Sequence, residues 1–409
     1  MTVTFEKSTA SGRVSAPPSK SMAHRYCICA ALSEGCEVCG LSGCDDVMAT
    51  VSALKQFGAD IRKTEKGVYF SGLVSVFPKE NTVIDCKESG STLRFLLPLA
   101  LRHGKTVRFT GSQRLLERPM TVYRDLCRQQ NIFYSKDGQG ITVKGILKPG
   151  RFTLSGAVSS QFLSGLFFVL PLLDGDSLVE IEGEPESMSY CRMTVKTLGE
   201  FGVRVRRIDE KTYFVPGNQT YRNQRVTVEG DYSNAAFLEG FNLLGGKVTV
   251  EGLLPDSCQG DRVYRDAFRQ WGEHPCFDVS DCPDLAPVYM ALGAAKGGVT
   301  LTGTRRLALK ESNRGVAMAE ELAKFGIKVT VEDNLIQVKK GKLLTPVLPL
   351  FSHNDHRIAM AVSMLATVTG GKLYGAEAVN KSFPDFFPLL ASLGISLKRN
   401  SIEEIGFHS

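Results

Sequence analysis

The stretch Leu322-Ala-Lys-Phe-Gly326-Ile-Lys-Val329 closes a helical pattern on an apolar residue, turns on a glycine and enters a β-type run. The same phrase returns as Leu54-Lys-Gln-Phe-Gly58-Ala-Asp-Ile61, Leu198-Gly-Glu-Phe-Gly202-Val-Arg-Val205, Phe268-Arg-Gln-Trp-Gly272 and Leu390-Ala-Ser-Leu-Gly394-Ile-Ser-Leu397. A sixth copy, Leu126-Cys-Arg-Gln-Gln-Asn131-Ile-Phe133, carries Asn where the others carry Gly, and both residues suit the left-handed position that ends a helix. Copies lie roughly 55 to 75 residues apart, so the chain reads as six related units.

A second landmark keeps step with the first. Ser19-Lys20-Ser21, Ser89-Gly90-Ser91 and Ser159-Ser160-Gln161 each stand just before an apolar helical run, and Asp231-Tyr-Ser233, Pro283-Asp284 and Asn354-Asp355 continue the series. Each unit is therefore expected to open one helix on a polar N-cap. Alternating runs such as Val68-Tyr-Phe-Ser71, Thr106-Val-Arg-Phe-Thr110, Gln224-Arg-Val-Thr-Val228 and Lys247-Val-Thr-Val250 predict strands, so a unit mixes two helices with several strands in an α/β (α+β) fold. Six units suggest two pseudo-threefold domains of three units each. The expected boundaries are 16–229 for one domain and 1–15 plus 230–409 for the other, with the strand Val3-Thr-Phe5 joining the C-terminal half.

The 409 residues carry 49 Lys+Arg against 43 Asp+Glu, a net charge of +6, and are 43% hydrophobic. That composition excludes a disordered chain and supports sizeable cores. The longest apolar run, Phe162–Leu173, is broken by Ser164, Gly165 and Pro171 and falls short of the roughly 18 residues of a membrane span. Met1-Thr-Val-Thr-Phe-Glu-Lys7 has no signal-peptide pattern, which predicts a cytoplasmic protein. The 11 cysteines are odd in number and mostly embedded in apolar patterns, so they read as small buried hydrophobes. Cys36-Glu-Val-Cys39 with Cys44 has zinc-ligand spacing at one end but no second ligand pair, so no metal site is expected.

Helix N-termini expose unpaired N–H groups and the positive end of the helix dipole, which makes them anion sites. Lys20 and Arg25 add charge and a bidentate fork to the first of them. A lysine has the wrong sign for a first helical turn, which favours a functional reading of Ser-Lys-Ser over a plain cap. Lys87-Glu-Ser-Gly-Ser-Thr-Leu-Arg94 repeats the build, with Arg one turn into the helix. Arg118 precedes Pro119, which restricts it to an extended backbone ahead of a helix expected to start at that proline. Lys310-Glu311-Ser-Asn-Arg314 sets two cations at i,i+4 on one helix face, a repulsive pair unless Glu311 or a bound anion offsets it. Asn354-Asp-His-Arg357 and Lys381-Ser-Phe-Pro-Asp385 complete the set.

Pro18-Ser-Lys-Ser21, Ser89-Gly-Ser-Thr-Leu-Arg94, Leu116-Glu-Arg-Pro119, Ser159-Ser-Gln-Phe162, Lys310-Glu-Ser-Asn-Arg314, Asn354-Asp-His-Arg357 and Lys381-Ser-Phe-Pro-Asp385 stand in the order of the signatures of the 5-enolpyruvylshikimate-3-phosphate synthase family. The chain resembles that family over essentially its whole length. The resemblance implies two domains of three βαβαββ units each, an inside-out barrel architecture, hinged around an active site in the interdomain cleft. It also implies a monomeric shikimate-pathway transferase that moves the enolpyruvyl group of phosphoenolpyruvate to the 5-hydroxyl of 3-phosphoshikimate without metal or organic cofactor. Carried over residue by residue, the 3-phosphoshikimate contacts fall on Lys20, Ser21, Arg25, Ser159, Ser160, Gln161, Ser187, Tyr190, Asp284 and Lys310. Phosphoenolpyruvate contacts fall on Lys20, Gly90, Arg118, Gln161, Arg314, Arg357 and Lys381. The catalytic set is Asp284, which takes the 5-hydroxyl proton, with Glu311, Lys20 and Lys381 as candidates for protonating the methylene carbon.

Two departures concern the phosphoenolpyruvate pocket and its response to glyphosate. The family's Asn-Ala-Gly-Thr-Ala-Met-Arg-Pro reads Glu88-Ser-Gly-Ser-Thr-Leu-Arg-Phe95 here, and Arg306 stands near a position where Asn is common. The sister transferase that uses UDP-N-acetylglucosamine resembles the chain less well, since Lys20 is followed by Ser21 and Gln113–Pro119 holds no cysteine. A repeat protein that binds RNA should show basic runs interleaved with aromatics, and the longest run is Arg204-Val-Arg-Arg207, so no nucleic-acid partner is expected.

Overall fold

A computed structural model describes residues 1–72, 78–155, 159–184 and 186–400. The chain divides into two compact units, Pro18–Glu229 and Met1–Pro17 with Gly230–Ser409.

The N-terminal segment supplies β1 (Thr2–Phe5) and β2 (Ser11–Ser15). The first repeat of Pro18–Glu229 then runs α1 (Lys20–Leu32), β3 (Cys36–Cys39), α2 (Asp45–Phe57), β4 (Asp60–Lys63) and β5 (Gly67–Ser71). The second runs β6 (Thr82–Asp85), α3 (Gly90–Ala100), β7 (Val107–Thr110), α4 (Gln113–Glu117), α5 (Thr121–Gln129), β8 (Phe133–Asp137) and β9 (Gly140–Lys144). The third runs β10 (Arg151–Ser155), α6 (Ser160–Val169), β11 (Ser177–Glu182), α7 (Met188–Glu200), β12 (Arg206–Arg207) and β13 (Thr212–Val215), before β14 (Arg225–Thr227). Each repeat folds one four-stranded sheet, with orders β14-β3-β5-β4, β6-β7-β9-β8 and β10-β11-β13-β12. In the second and third sheets the leading pair is parallel and joined by a buried helix, because parallel neighbours need a crossover, whereas in the first the parallel neighbour of β3 is β14 from the end of the unit. The trailing strands return antiparallel, and the register stacks Ile84, Phe109 and Ile141 in one apolar rung.

The other unit continues with α8 (Tyr232–Gly240), β15 (Lys247–Glu251), α9 (Tyr264–Arg269), β16 (Cys276–Asp278), α10 (Ala286–Lys296) and β17 (Val299–Thr302). It ends with α11 (Arg314–Lys324), β18 (Val329–Glu332), β19 (Leu335–Val338), β20 (Leu350–Phe351), α12 (His356–Thr369), β21 (Gly371–Tyr374), α13 (Phe386–Ser392) and β22 (Leu397–Asn400). Two repeats again make four-stranded sheets, β16-β17-β19-β18 and β20-β21-β1-β22, the latter with the N-terminal strand at its third position. The remaining repeat keeps only the parallel pair β2–β15. The strand behind its phrase Phe268-Arg-Gln-Trp-Gly272 is β16, which joins the next sheet, and Gly272, unlike Gly58, Gly202, Gly326, Gly394 and Asn131, is not left-handed.

In each unit three helices are buried almost all round: α1, α3 and α6 in one, α8, α10 and α12 in the other. A helix with no polar face belongs in an interior, so the helices form the cores and the sheets enclose them. The run Phe162–Leu173 is one such core element, α6 with a following 3-10 turn. Gly165 lets α6 lie directly on α3, since a Cβ there would collide with the Arg94 carbonyl oxygen and the Tyr123 hydroxyl. That hydroxyl donates to the carbonyls of Arg94 and Phe162 at 2.7 and 3.0 Å. Among the described residues no helix is long and apolar enough to cross a membrane. Nine cysteines are buried as expected, while Cys258 is half-buried and Cys276 exposed, both around the shortened repeat.

Candidate active site

In Pro18–Glu229, the serines that precede the core helices cap them. Ser19, Ser89 and Ser159 accept from the amides of Met22, Thr92 and Gln161. Lys20, the first residue of α1, donates to Asp46 of the α2 first turn at 2.8 Å, which offsets its unfavourable sign at a helix N-terminus. Arg25 is buried one turn further in. Its Nε donates to Thr194 (2.8 Å), Nη1 to the Ser21 carbonyl (2.7 Å) and Nη2 to the Tyr190 carbonyl (2.9 Å), so Ser21, Arg25 and Tyr190 are one connected group. Ser187 opens α7 in the left-handed region (φ 56°) without capping it by its side chain.

A second group surrounds the N-terminus of α3. Arg94 donates to Gln161 Oε1 at 2.7 Å, and Gln161 Nε2 donates to Ser91 at 2.9 Å, which joins the N-termini of α3 and α6 beside Ser160. Arg118, extended as its proline dictates (φ −61°, ψ 144°), brings its guanidinium to Gly90. A Cβ on Gly90 would stand 2.8 Å from Arg118 Nη1 and 3.2 Å from Arg94 Nη1, so only glycine admits both forks. The helix after Arg118 starts at Thr121 rather than Pro119. Behind these groups a buried chain, His24 to Thr50 to Thr92 to Ser89, links α1, α2 and α3. Burial, then Lys20 and Arg25, hold the His24 ring well below its usual pKa and hence neutral.

The other unit gathers the remaining residues around Asp284. It does not cap a helix: it lies inside the 3-10 turn Pro283–Leu285, and α10 begins without a side-chain cap. Its Oδ1 accepts from Lys310 Nζ (3.1 Å) and Arg314 Nη1 (2.7 Å), and Arg357 Nη2 lies 3.5 Å from Oδ2. Burial works to raise the Asp284 pKa, but Lys310, Arg314 and Arg357 outweigh it and hold the group well below the carboxylate range. Lys310 moves down, chiefly through burial. Arg314 also donates to Glu311 (2.9 Å) and to Asp355 (2.9 Å); burial opposes its charge, while Asp355, Glu311 and Asp284 more than restore it. Arg357 Nη1 donates to Asn234 at 2.8 Å, and Lys381 Nζ donates to the Asn354 carbonyl.

Lys310 and Arg314 do not share a helix face. Asn313 caps α11, so the helix starts at Arg314, while Lys310 is extended at the end of the 3-10 turn Arg305–Leu309, which also buries Arg306. The two cations converge on Asp284 instead of repelling along a helix. Sequence reading missed the anionic partners: Asp46 for Lys20 and Asp355 for Arg314. Asp46 carried a faint signal as an acid in a first helical turn, and Asp355 stood in a recognised motif but looked only like a cap. Asp261 was missed outright. It is buried and bonded to Ser233, and burial, then repulsion from Asp284, push its carboxyl up to about 7.

Each unit thus gathers a set of largely buried basic side chains with acidic partners, Lys20, Arg25, Arg94 and Arg118 in one and Lys310, Arg314, Arg357 and Lys381 in the other, an arrangement suited to small polyanionic substrates. The fold matches proteins that transfer enolpyruvyl groups. EPSP synthase from Acinetobacter baumannii gives a TM-score of 0.79 over 98% of this chain and 100% of that one at 21% identity. The enolpyruvyl transferase NikO from Streptomyces tendae gives 0.77 over 98% of each chain at 14% identity. The fold is therefore that of the enolpyruvyl transferases. Residues 6–390 match the family model EPSP synthase (3-phosphoshikimate 1-carboxyvinyltransferase). A 3-phosphoshikimate 1-carboxyvinyltransferase of Clostridium kluyveri is 40% identical over 407 residues, covering 94% of this chain and 95% of its own length. The chain belongs to the EPSP synthase family.

Proposed function

We propose that this enzyme transfers the enolpyruvyl group of phosphoenolpyruvate to the 5-hydroxyl of 3-phosphoshikimate, releasing phosphate. The observation that carries the residue assignment is the Asp284 carboxylate ringed by Lys310, Arg314 and Arg357. Protonation of the enol carbon creates a cationic centre, the hydroxyl adds as it gives up its proton, and the tetrahedral adduct then loses phosphate together with a proton from the newly formed methyl group, which restores the carbon–carbon double bond. Asp284 takes the hydroxyl proton. Glu311, with Lys20 or Lys381, supplies the proton to the methylene carbon. These are acid–base steps that side chains carry, so the reading needs neither metal nor organic cofactor, and it places a monomer in the cytoplasm.

The cations that ring Asp284 make it a poor base while they serve it alone. Anionic substrates that engage Lys310, Arg314 and Arg357 share that charge and raise the basicity of Asp284 as the hydroxyl arrives. Lys20, Ser21, Arg25, Ser159, Ser160, Gln161, Ser187 and Tyr190 serve 3-phosphoshikimate, with Asp284 and Lys310. Gly90 and Arg118, with Lys20, Gln161, Arg314, Arg357 and Lys381, serve phosphoenolpyruvate. The test is phosphate release from phosphoenolpyruvate with 3-phosphoshikimate, against UDP-N-acetylglucosamine as the competing acceptor. Release with 3-phosphoshikimate alone is expected, and release with neither refutes the assignment. Asp284→Ala is expected to abolish turnover while both substrates still bind; near-normal turnover removes Asp284 from its role.

A further inference from the structure

Behind the residues assigned to phosphoenolpyruvate stands a buried acid with no role so far. Glu321 lies on α11 two turns after Arg314 and is only 1% exposed. Its carboxylate accepts from His353 Nε2 (2.7 Å), from Lys324 Nζ (2.8 and 2.9 Å) and from the Phe351 amide (3.0 Å). Burial works to raise its pKa, and His353, Lys324 and the Phe351 amide outweigh burial, so the group stays ionised. Glu320 is 3.9 Å from His353 but largely exposed, where solvent screens the pair.

What this carboxylate holds is a backbone under strain. His353 and Asn354 are consecutive non-glycine residues in the left-handed region, at φ 50° and 52°. The turn is closed by the Asp355 amide on the Ser352 carbonyl (2.9 Å) and the Asn354 amide on Ser352 Oγ (3.2 Å). Three cations take their positions from its last two residues. The Asn354 carbonyl accepts from Lys381, while Asp355, fully buried, accepts from Arg314 and from the backbone amide of Arg357. Strain of this kind persists only where surrounding structure over-determines it, and two side chains of α11 reach the turn: Arg314 bonds Asp355 at its end, and Glu321 bonds His353, the first of the two left-handed residues.

We propose that Glu321 and His353 form a positioning pair: Glu321 grips His353 and keeps the turn in the left-handed form that presents Asn354 to Lys381 and Asp355 to Arg314 and Arg357. The inference rests on the assignment of those three cations to phosphoenolpyruvate. The full-length enzyme is compared with Glu321→Gln, His353→Asn and the double variant; Asn tolerates the left-handed region but is too short to reach Glu321. Each single variant is expected to raise the KM for phosphoenolpyruvate on the order of tenfold, as a sub-ångström misplacement does. The double variant should be no worse than either single, because one contact is removed once. The affinity for 3-phosphoshikimate, measured without phosphoenolpyruvate, should not move.

Lys324→Ala separates positioning from plain stability, since Lys324 bonds the carboxylate and, ahead of the turn, the Pro349 carbonyl and the Phe351 ring, and its hydrogen bonds do not run to Ser352–Asp355. It should lower the melting temperature and leave the KM for phosphoenolpyruvate in place. A Lys324→Ala shift as large as that of His353→Asn overturns the proposal, and so do melting losses in the pair with an unchanged KM, or equal losses for both substrates. If Glu321→Gln does not fold, His353→Asn alone decides. Wild-type phosphate release is read first: its absence sinks the underlying assignment, whereas normal wild-type release with unmoved variants sinks the pair alone.

Discussion

Gly90→Ala should leave the fold intact while damaging the use of one substrate. The added Cβ would stand 2.8 Å from Arg118 Nη1, 3.3 Å from Arg118 Cζ and 3.2 Å from Arg94 Nη1. Ordinary contacts lie near about 3.5 Å, so the Arg118 fork must retreat by roughly 0.7 Å. The moving atoms are the ends of long side chains, which shift without disturbing the backbone, and Ala is the better helix former by up to about 1 kcal/mol. The melting temperature should therefore hold or rise. A displacement approaching 1 Å can cost up to about a hundredfold in a positioned reaction, so kcat/KM for phosphoenolpyruvate should fall roughly tenfold or more, about 1.4 kcal/mol or more. Steady-state kinetics with each substrate varied in turn, beside a thermal melt, reads both quantities. A normal KM for phosphoenolpyruvate, or equal losses for the two substrates, would refute the placement of Arg118 over Gly90 as a binding element.

Asp355→Asn strips Arg314 of a partner where both side chains are fully buried, and breaking such a pair costs about 3–5 kcal/mol. At about 2–4 °C per kcal/mol calorimetry should show a melting loss on the order of 10 °C, and a loss under about 2 °C would contradict the buried pair. Gly165→Ala forces α6 away from α3 and should destabilise by about 1–3 kcal/mol in urea, with neutrality excluding the close approach. Asp284 and Asp261 should give opposite pH signatures. The lowered Asp284 pKa adds stability above the unfolded carboxylate value and loses it as pH falls through the lower folded value. Asp261 is raised to about 7, so it costs stability as pH climbs from about 4 to 7. Asp261→Asn should therefore gain on the wild type in urea melts between pH 4 and pH 8, and a constant difference would contradict the burial of that charge.

Features written in a few consecutive residues were legible in the chain alone. The phrase ending in Gly or Asn set the helix ends, because a left-handed cap is a local demand on φ, and five of the six copies meet it. Serine before an apolar run set the starts of α1, α3 and α6, because a cap bond spans only two or three residues. Motif order brought Lys20, Gly90, Arg118, Asp284, Arg314, Arg357 and Lys381 forward as a set. Local rules failed where partners come from afar. Lys310 and Arg314 looked repulsive at i,i+4, and only the Asn313 cap and the distant Asp284 turn them into two donors on one carboxylate. Asp46, Asp355, Asn234 and Glu321 gained meaning from helices packed side by side. A buried charge is decided by what surrounds it in space, and that is fixed by packing rather than by spacing along the chain.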